Sequence, residues 1–155
     1  MSILIVYDSV FGNTEKLAQA MAASAGSEAK AVRVGEVDEK LLTAATVLVV
    51  ASPTRAFSAT PAIKNWLKGL RSGALNGKKA AAFDTRVDTA KINSRFLLVM
   101  VKLFGYAAEP LSRMLAKKGA LIAAQPAGFY VDDSEGPLTA GEIERAQQWL
   151  SGLLA

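Results

Sequence analysis

The 155-residue sequence contains no cysteine and no histidine. Those two absences exclude thiol nucleophiles, disulfides, imidazole general bases, serine–histidine triads and nearly every zinc site, so most hydrolase chemistries are not available to it. Long hydrophobic runs are also missing. The uncharged stretches Leu41 to Thr54 and Gly119 to Val131 contain proline and fall short of the roughly 20 apolar residues that span a bilayer, so no integral membrane segment is expected. The opening Met1-Ser2-Ile3-Leu4-Ile5 has no basic region ahead of its apolar segment and reads as a buried strand rather than a secretion signal. The expectation is a soluble, cytoplasmic protein. Acidic residues are the scarcer charge, 14 against 18 basic, which leaves a net charge of +4. The basic residues are dispersed, with no run longer than Lys78-Lys79 or Lys117-Lys118. No aromatic-interleaved basic motif of the RNA-binding kind occurs, so nucleic acid is not an expected partner.

What is present is 51% hydrophobic and 21% charged sequence, a globular composition of a length that suits one domain, residues 1–155, around one core. Short apolar runs alternate with helical patterns, the signature of an α/β protein built from strand–helix–strand units. Ile3–Tyr7 and Thr46–Val50 are continuously apolar, as central parallel strands covered on both faces are. Ala31–Val34 alternates and suits an edge. Lys79–Phe83 and Ala120–Ala124 complete five strands, the last resuming at Gly128–Val131 after Pro126. Helices are expected from about Asn13 to Ala23, from Thr60-Pro61, an N-cap followed by proline at the first helical position, with Ile63, Trp66, Leu67 and Leu70 inward, and from Glu109 to Lys118, stopped by Gly119. A last helix opens on a capping box at Thr139-Ala140-Gly141-Glu142, with Ile143, Ala146, Trp149, Leu150 and Leu153 on its inner face. Phe96 to Phe104 is the irregular segment, apolar except for Lys102. It is either an extra helix packed on the core or an exposed patch for a partner, a membrane or a second copy.

In an open parallel sheet, ligands bind beyond the carboxyl ends of the strands. The loop after the first strand, Asp8-Ser9-Val10-Phe11-Gly12-Asn13-Thr14, is small and hydroxyl-rich and runs straight into a helix. Converging backbone N–H groups, hydroxyls and the helix dipole make such a loop fit for a phosphate; equally, it is what an ordinary strand-to-helix turn rich in capping residues looks like. Neither a Gly-Lys-Ser/Thr P-loop ending nor a G-x-G-x-x-G pattern is present. A phosphoacceptor receiver domain would need an acidic pair after the first strand and an aspartate after the third, whereas Asp8 is followed by Ser9 and the third strand ends in Ala51-Ser52-Pro53.

Tyr7 to Thr14 resembles the phosphate loop of the flavodoxin family, Ser/Thr-x-Ser/Thr-Gly-x-Ser/Thr, with Ser9, Gly12 and Thr14 matching and Phe11 standing where the central hydroxyl would be. Ala51-Ser52-Pro53-Thr54-Arg55-Ala56-Phe57 stands where that family's second flavin loop follows the third strand, and Phe83-Asp84-Thr85 where its third follows the fourth. Phe104-Gly105-Tyr106-Ala107-Ala108 and Gly136-Pro137-Leu138 are also similar to the family's sequences. The resemblance implies a three-layer α/β/α fold with a five-stranded parallel sheet in the order 2-1-3-4-5 and flavin mononucleotide (FMN) between strands one and three. By it, Ser9, Val10, Phe11, Gly12, Asn13 and Thr14 would hold the phosphate. Pro53, Thr54, Arg55, Ala56 and Phe57 would run along the isoalloxazine ring, with Phe57 stacking on it or simply a loop aromatic. Asp84 and Thr85 would offer backbone groups to the ring's pyrimidine edge. Arg86 would either raise the potential of the flavin's second reduction step from beside that edge or pair with Asp84 or Asp88.

The sequence departs from the family in lacking its usual ring-flanking Trp and Tyr in these loops and in being basic. A covering aromatic would come from between Val87 and Tyr106, where Phe96, Phe104 and Tyr106 are available. The function implied is electron transfer between transient redox partners with an acidic docking face, with no catalytic side chain and no metal. Two alternatives are an FMN-dependent NAD(P)H:quinone-type reductase and a flavin-free interaction module. Oligomeric state is left open by the sequence.

Overall fold

A computed structural model describes residues 1–91 and 94–155. The central sheet is wholly parallel and contains β1 (Ile3–Tyr7), β2 (Ala29–Arg33), β3 (Val47–Pro53), β4 (Lys79–Val87), β5 (Leu121–Ile122) and β6 (Ala127–Val131). Its order is β2-β1-β3-β4-β5, with β6 also on β4. The expected fifth strand is therefore divided. β5 pairs with Lys79 and Ala80, at the start of β4, and β6 pairs with Phe83 to Val87 at its end. The chain between them contains Pro126, which has no N–H to give a ladder. The edge strand β2 begins at Ala29, two residues ahead of the expected start.

Strand alternation divides the core in two. Leu4, Val6, Leu48, Val50, Ala80 and Ala82 face α3 (Pro61–Gly69) and α5 (Ala108–Lys117), through Ile63, Leu67, Leu111 and Leu115. Ile3, Ile5, Val47, Val49, Ala81 and Phe83 face α1 (Asn13–Ala25) and α6 (Glu142–Leu154), through Leu17, Met21, Ala146 and Leu150. Phe83, Phe129 and Trp149 meet edge to face at centroid separations of 5.5 to 6.2 Å, the geometry that aromatic quadrupoles favour.

A short α2 (Glu39–Ala44) precedes β3, capped by the Asp38 carboxylate, which accepts from the Leu41 N–H. The basic pairs have structural employment. Lys78 donates to the Thr43 and Ala45 carbonyls at the end of α2, and Lys118 to those of Lys68 and Leu70 at the end of α3, where helix carbonyls lack intrahelical partners.

Two capping expectations are corrected. The box at Thr139 does not form: Gly141 is the cap residue, and the Glu142 carboxylate instead accepts from the Tyr130 N–H and the Arg145 guanidinium. The Thr139 hydroxyl donates to Asp132. Thr60 sits at the start of α3, but its buried hydroxyl makes no capping bond. Ile143, expected inward, is 37% exposed.

The apolar segment after β4 forms α4 (Arg95–Phe104), capped by the Ser94 hydroxyl accepting from the Leu97 N–H. None of its residues is buried. No described helix is long and apolar enough to cross a membrane.

Candidate functional site

The carboxyl ends of β1, β3, β4 and β6 surround a cavity of about 450 Å³, within the roughly 300–1,000 Å³ usual for ligand pockets. A second cavity of equal volume lies at the opposite, amino-terminal ends of β1 and β2. Volume does not separate them. Position does, because only the first lies at the switch point between β1 and β3, where the sheet order reverses.

The β1–α1 loop forms one wall. Ser9 Oγ accepts from the Gly12 N–H at 3.1 Å and the Glu15 N–H at 3.3 Å, so the loop closes on its own hydroxyl, whose proton stays free to donate. Gly12, at φ 91°, takes the left-handed turn into α1, a conformation cheap only for glycine. Among the described residues no protein acceptor takes the N–H groups of Val10, Phe11, Asn13 or Thr14. The result is a set of unpartnered donors at a helix N-terminus. The buried Thr14 hydroxyl meets that of Thr85 at 2.9 Å, tying this loop to β4.

Two supports of this loop were not legible in the sequence. Arg33, at the end of edge strand β2, reaches the Asp8 carboxylate at 3.2 Å, the Ser9 carbonyl at 3.2 Å and Glu15 at 3.5 Å, offsetting both carboxylates that flank the loop. Its only sequence signal was being the lone charge between two valines. The end of β6 and the loop after it supply Val131, Ser134 and Glu135 to the cavity lining, and Asn13 Nδ2 donates to the Glu135 carbonyl at 3.2 Å. A Cβ on Gly136 would lie 2.7 Å from Asn13 Oδ1. Gly136-Pro137 marked this region in the sequence, but contact between segments so far apart leaves no local pattern.

The facing wall is built differently. Beyond β3, Arg55 and Ser58 exchange backbone hydrogen bonds of 2.8 and 3.0 Å around Ala56 and Phe57, which both have positive φ, 48° and 65°. A two-residue turn of this hand needs left-handed conformations at both central positions, and here non-glycine residues occupy them. The turn carries the Arg55 guanidinium to 5.1 Å from the Phe11 ring centroid, stacked across the cavity. Phe57 does not line the cavity; its ring lies 6.1 Å from that of Phe104.

Asp84 is fully buried and does not line the cavity either. Its carboxylate accepts two bonds from Arg86, at 2.6 and 2.7 Å, and one from the Ala108 N–H at 2.9 Å. Thr54 Oγ1 accepts from the Ala107 N–H at 3.1 Å. The start of α5 has no capping side chain of its own, so Thr54 and Asp84 satisfy its N–H groups from across the site. Burial pushes the Asp84 carboxyl above the usual carboxylate range, against the pull of the Arg86 guanidinium. Arg86 is thus a paired cation, and its guanidinium carbon lies 3.7 Å from the Tyr106 ring centroid. Of the other aromatics considered as ring covers, Phe104 packs on Phe57 and Phe96 is 70% exposed. Residues 92 and 93 of the same interval lie outside the described residues.

Of the residues singled out in the sequence, Ser9, Val10, Phe11, Asn13, Thr14, Pro53, Thr54, Arg55, Ala56, Thr85 and Arg86 share the cavity lining. Gly12 shapes the first loop from behind, and Phe57 and Asp84 support the second wall.

No curated protein matches the chain in sequence. Among solved structures, oxidised flavodoxin 1 of Bacillus cereus superposes with a TM-score of 0.74 at 17% identity, covering 99% of this chain and 97% of that one. A flavodoxin from the domain Archaea gives 0.75 at 16% identity, with 99% and 96% covered. The two-electron-reduced flavodoxin of Megasphaera elsdenii gives 0.68 at 18%, with 99% of both covered. At such identities these likenesses speak for the fold. The flavodoxin family model matches residues 5–149, and with nearly the whole chain inside that match, the protein belongs to the flavodoxin family of FMN-binding flavoproteins.

Proposed function

We propose that this protein holds FMN in the cavity at the carboxyl ends of β1, β3 and β4 and carries electrons between redox partners. The observation that supports it most is the set of N–H groups of Val10, Phe11, Asn13 and Thr14 at the start of α1, without an acceptor among the described residues and opening on a cavity of about 450 Å³. Donors of this kind fit a phosphate dianion, because they need no reorganisation and add to the helix dipole. Arg33 lets the loop accept that charge by offsetting Asp8 and Glu15.

In this reading Ser9 and Thr14 flank the phosphate. Pro53 to Ala56 line the ring on one side, and backbone groups at Thr85 and Arg86 meet its polar edge. Phe11, stacked under Arg55, is the aromatic nearest to hand as a cover. Bound there, the flavin supplies reversible one- and two-electron transfer. Because Asp84 offsets the Arg86 charge, that pair presents the ring with an oriented dipole rather than a free cation. Partners dock transiently at the cavity mouth, and Arg55 favours an acidic face on them.

The test is an absorption spectrum of the purified protein, then titration of the stripped protein with FMN and with riboflavin, followed by flavin fluorescence. Tight FMN-selective quenching that weakens in Ser9→Ala supports the assignment. A protein that ignores FMN refutes it and leaves the flavin-free module. Steady-state NAD(P)H oxidation by the loaded protein, absent in a carrier, would point to the reductase instead.

A further inference from the structure

α4 is a ten-residue helix whose apolar side chains have no core to enter: Phe96, Leu103 and Phe104 are 70%, 71% and 60% exposed, and Leu97, Leu98 and Val99 are exposed as well. A helix apolar on nearly every side is ordinarily interior to a protein or in contact with lipid. The patch is not confined to the helix. Phe104 packs on Phe57, whose turn carries Arg55 onto the ring of exposed Phe11, so a chain of ring contacts leads from α4 to the cavity mouth.

Its charge selects among occupants. From Thr89 to Ala108 the chain has no Asp or Glu, while Lys91, Arg95 and Lys102 are present. A second copy meeting α4 about a two-fold axis would set Arg95 and Lys102 against their own equivalents, with no acid on either helix to pair them. At 1.5 Å per residue the helix is about 15 Å long, half a bilayer core, which fits lying in the headgroup region rather than spanning. Phe and Leu beside Arg and Lys on an exposed helix is the pattern of an interfacial anchor.

We propose that α4 docks this protein on a lipid bilayer bearing anionic headgroups, with Phe96, Val99 and Leu103 inserted among the acyl chains and Arg95 and Lys102 at the headgroup phosphates. The cavity mouth is then held beside the membrane surface, within reach of an acceptor dissolved in lipid. This inference does not depend on FMN being bound.

The experiment is vesicle flotation of the full chain with phosphatidylcholine alone and with phosphatidylcholine containing phosphatidylglycerol. The expected result is flotation with the anionic vesicles only. Partitioning should fall at least tenfold in Phe96→Glu/Leu103→Glu, and by about fivefold for each of Arg95→Gln and Lys102→Gln, the effect of one cation near such a surface. Because these side chains are exposed, the variants should keep the native circular dichroism spectrum and thermal midpoint, and their FMN titration reads the cofactor assignment separately. Failure to float, flotation unchanged in Phe96→Glu/Leu103→Glu, or equal flotation with neutral vesicles overturns the proposal. So does a dimer that those substitutions dissociate while vesicles are ignored.

Discussion

The two walls of the cavity solve the problem of presenting polar groups to a ligand in opposite ways. The β1–α1 wall uses the backbone: its donors are amide groups held by local geometry, with one hydroxyl, Ser9, organising the turn from within. The opposite wall uses side chains brought from β3, β4 and the start of α5, knitted through Thr54, Asp84 and Arg86 and seated against Tyr106. A backbone-built wall is insensitive to most side-chain changes. A wall built from a buried polar network fails as a unit.

The sharpest way to test that contrast is Asp84→Ala. It strands the Arg86 cation and removes an acceptor from the start of α5, and should cost about 3–5 kcal/mol, as breaking a buried ion pair does, read as a lower urea midpoint. Adding Arg86→Met should recover much of the loss; if it recovers none, the network is not the source of the cost. Ser9→Ala, on the other wall, should cost only about 0.5–2 kcal/mol, like the loss of a helix cap, while weakening FMN binding several-fold. Arg33→Met should cost about 1 kcal/mol, the upper end for ion pairs still open to solvent, since these are only partly exposed. It should weaken FMN more than riboflavin, because only the phosphate feels Asp8 and Glu15 unmasked; equal loss for both flavins would refute that role.

Smaller effects refine the picture. Glu142 lies outside the cavity, where the Arg145 guanidinium and the Tyr130 N–H hold its carboxyl below the ordinary range. Its stabilising contribution is complete above the ordinary carboxylate pKa and is lost as pH falls through the lowered one. Glu142→Gln should therefore flatten the acid limb of the stability profile below about pH 4.3, the ordinary glutamate value, and leave its neutral region nearly level. Smallest of all, Ala56→Gly should relieve left-handed strain of roughly 1–2 kcal/mol against an entropic cost of about 0.5–1 kcal/mol, raising the thermal midpoint slightly.

The difference between the walls also explains how much of the site could be read in advance. The first wall is a contiguous string, Ser9 to Thr14, whose residue types carry the geometry with them. The second is drawn from two separate stretches, Pro53 to Phe57 and Asp84 to Arg86, and its internal logic was not visible. Nothing local says that Asp84 serves the α5 terminus rather than the cavity, or that Phe57 packs on Phe104. The fold was legible because apolar runs and capping residues are short-range signals, down to the positive φ of 105° at Gly119 beyond α5. The unformed box at Thr139 was not, nor which of its two readings the α4 segment would take, since each depends on what another part of the chain offers. α4 and α5 make the point together: both have ten residues, and the more apolar one is the one left outside.

Gly128, on β6, has a consequence that reaches past this one molecule. A Cβ there would fall 2.1 Å from Nε of Arg86, so the space the guanidinium occupies exists only because position 128 has no side chain. Positions 86 and 128 are therefore coupled. In a lineage descended from this chain, a residue larger than glycine at 128 requires the Arg86 guanidinium to leave its seat against Asp84, by moving or by being replaced. The dependence runs one way: the charge at 86 can be lost with glycine still at 128, but not the reverse without moving the arginine.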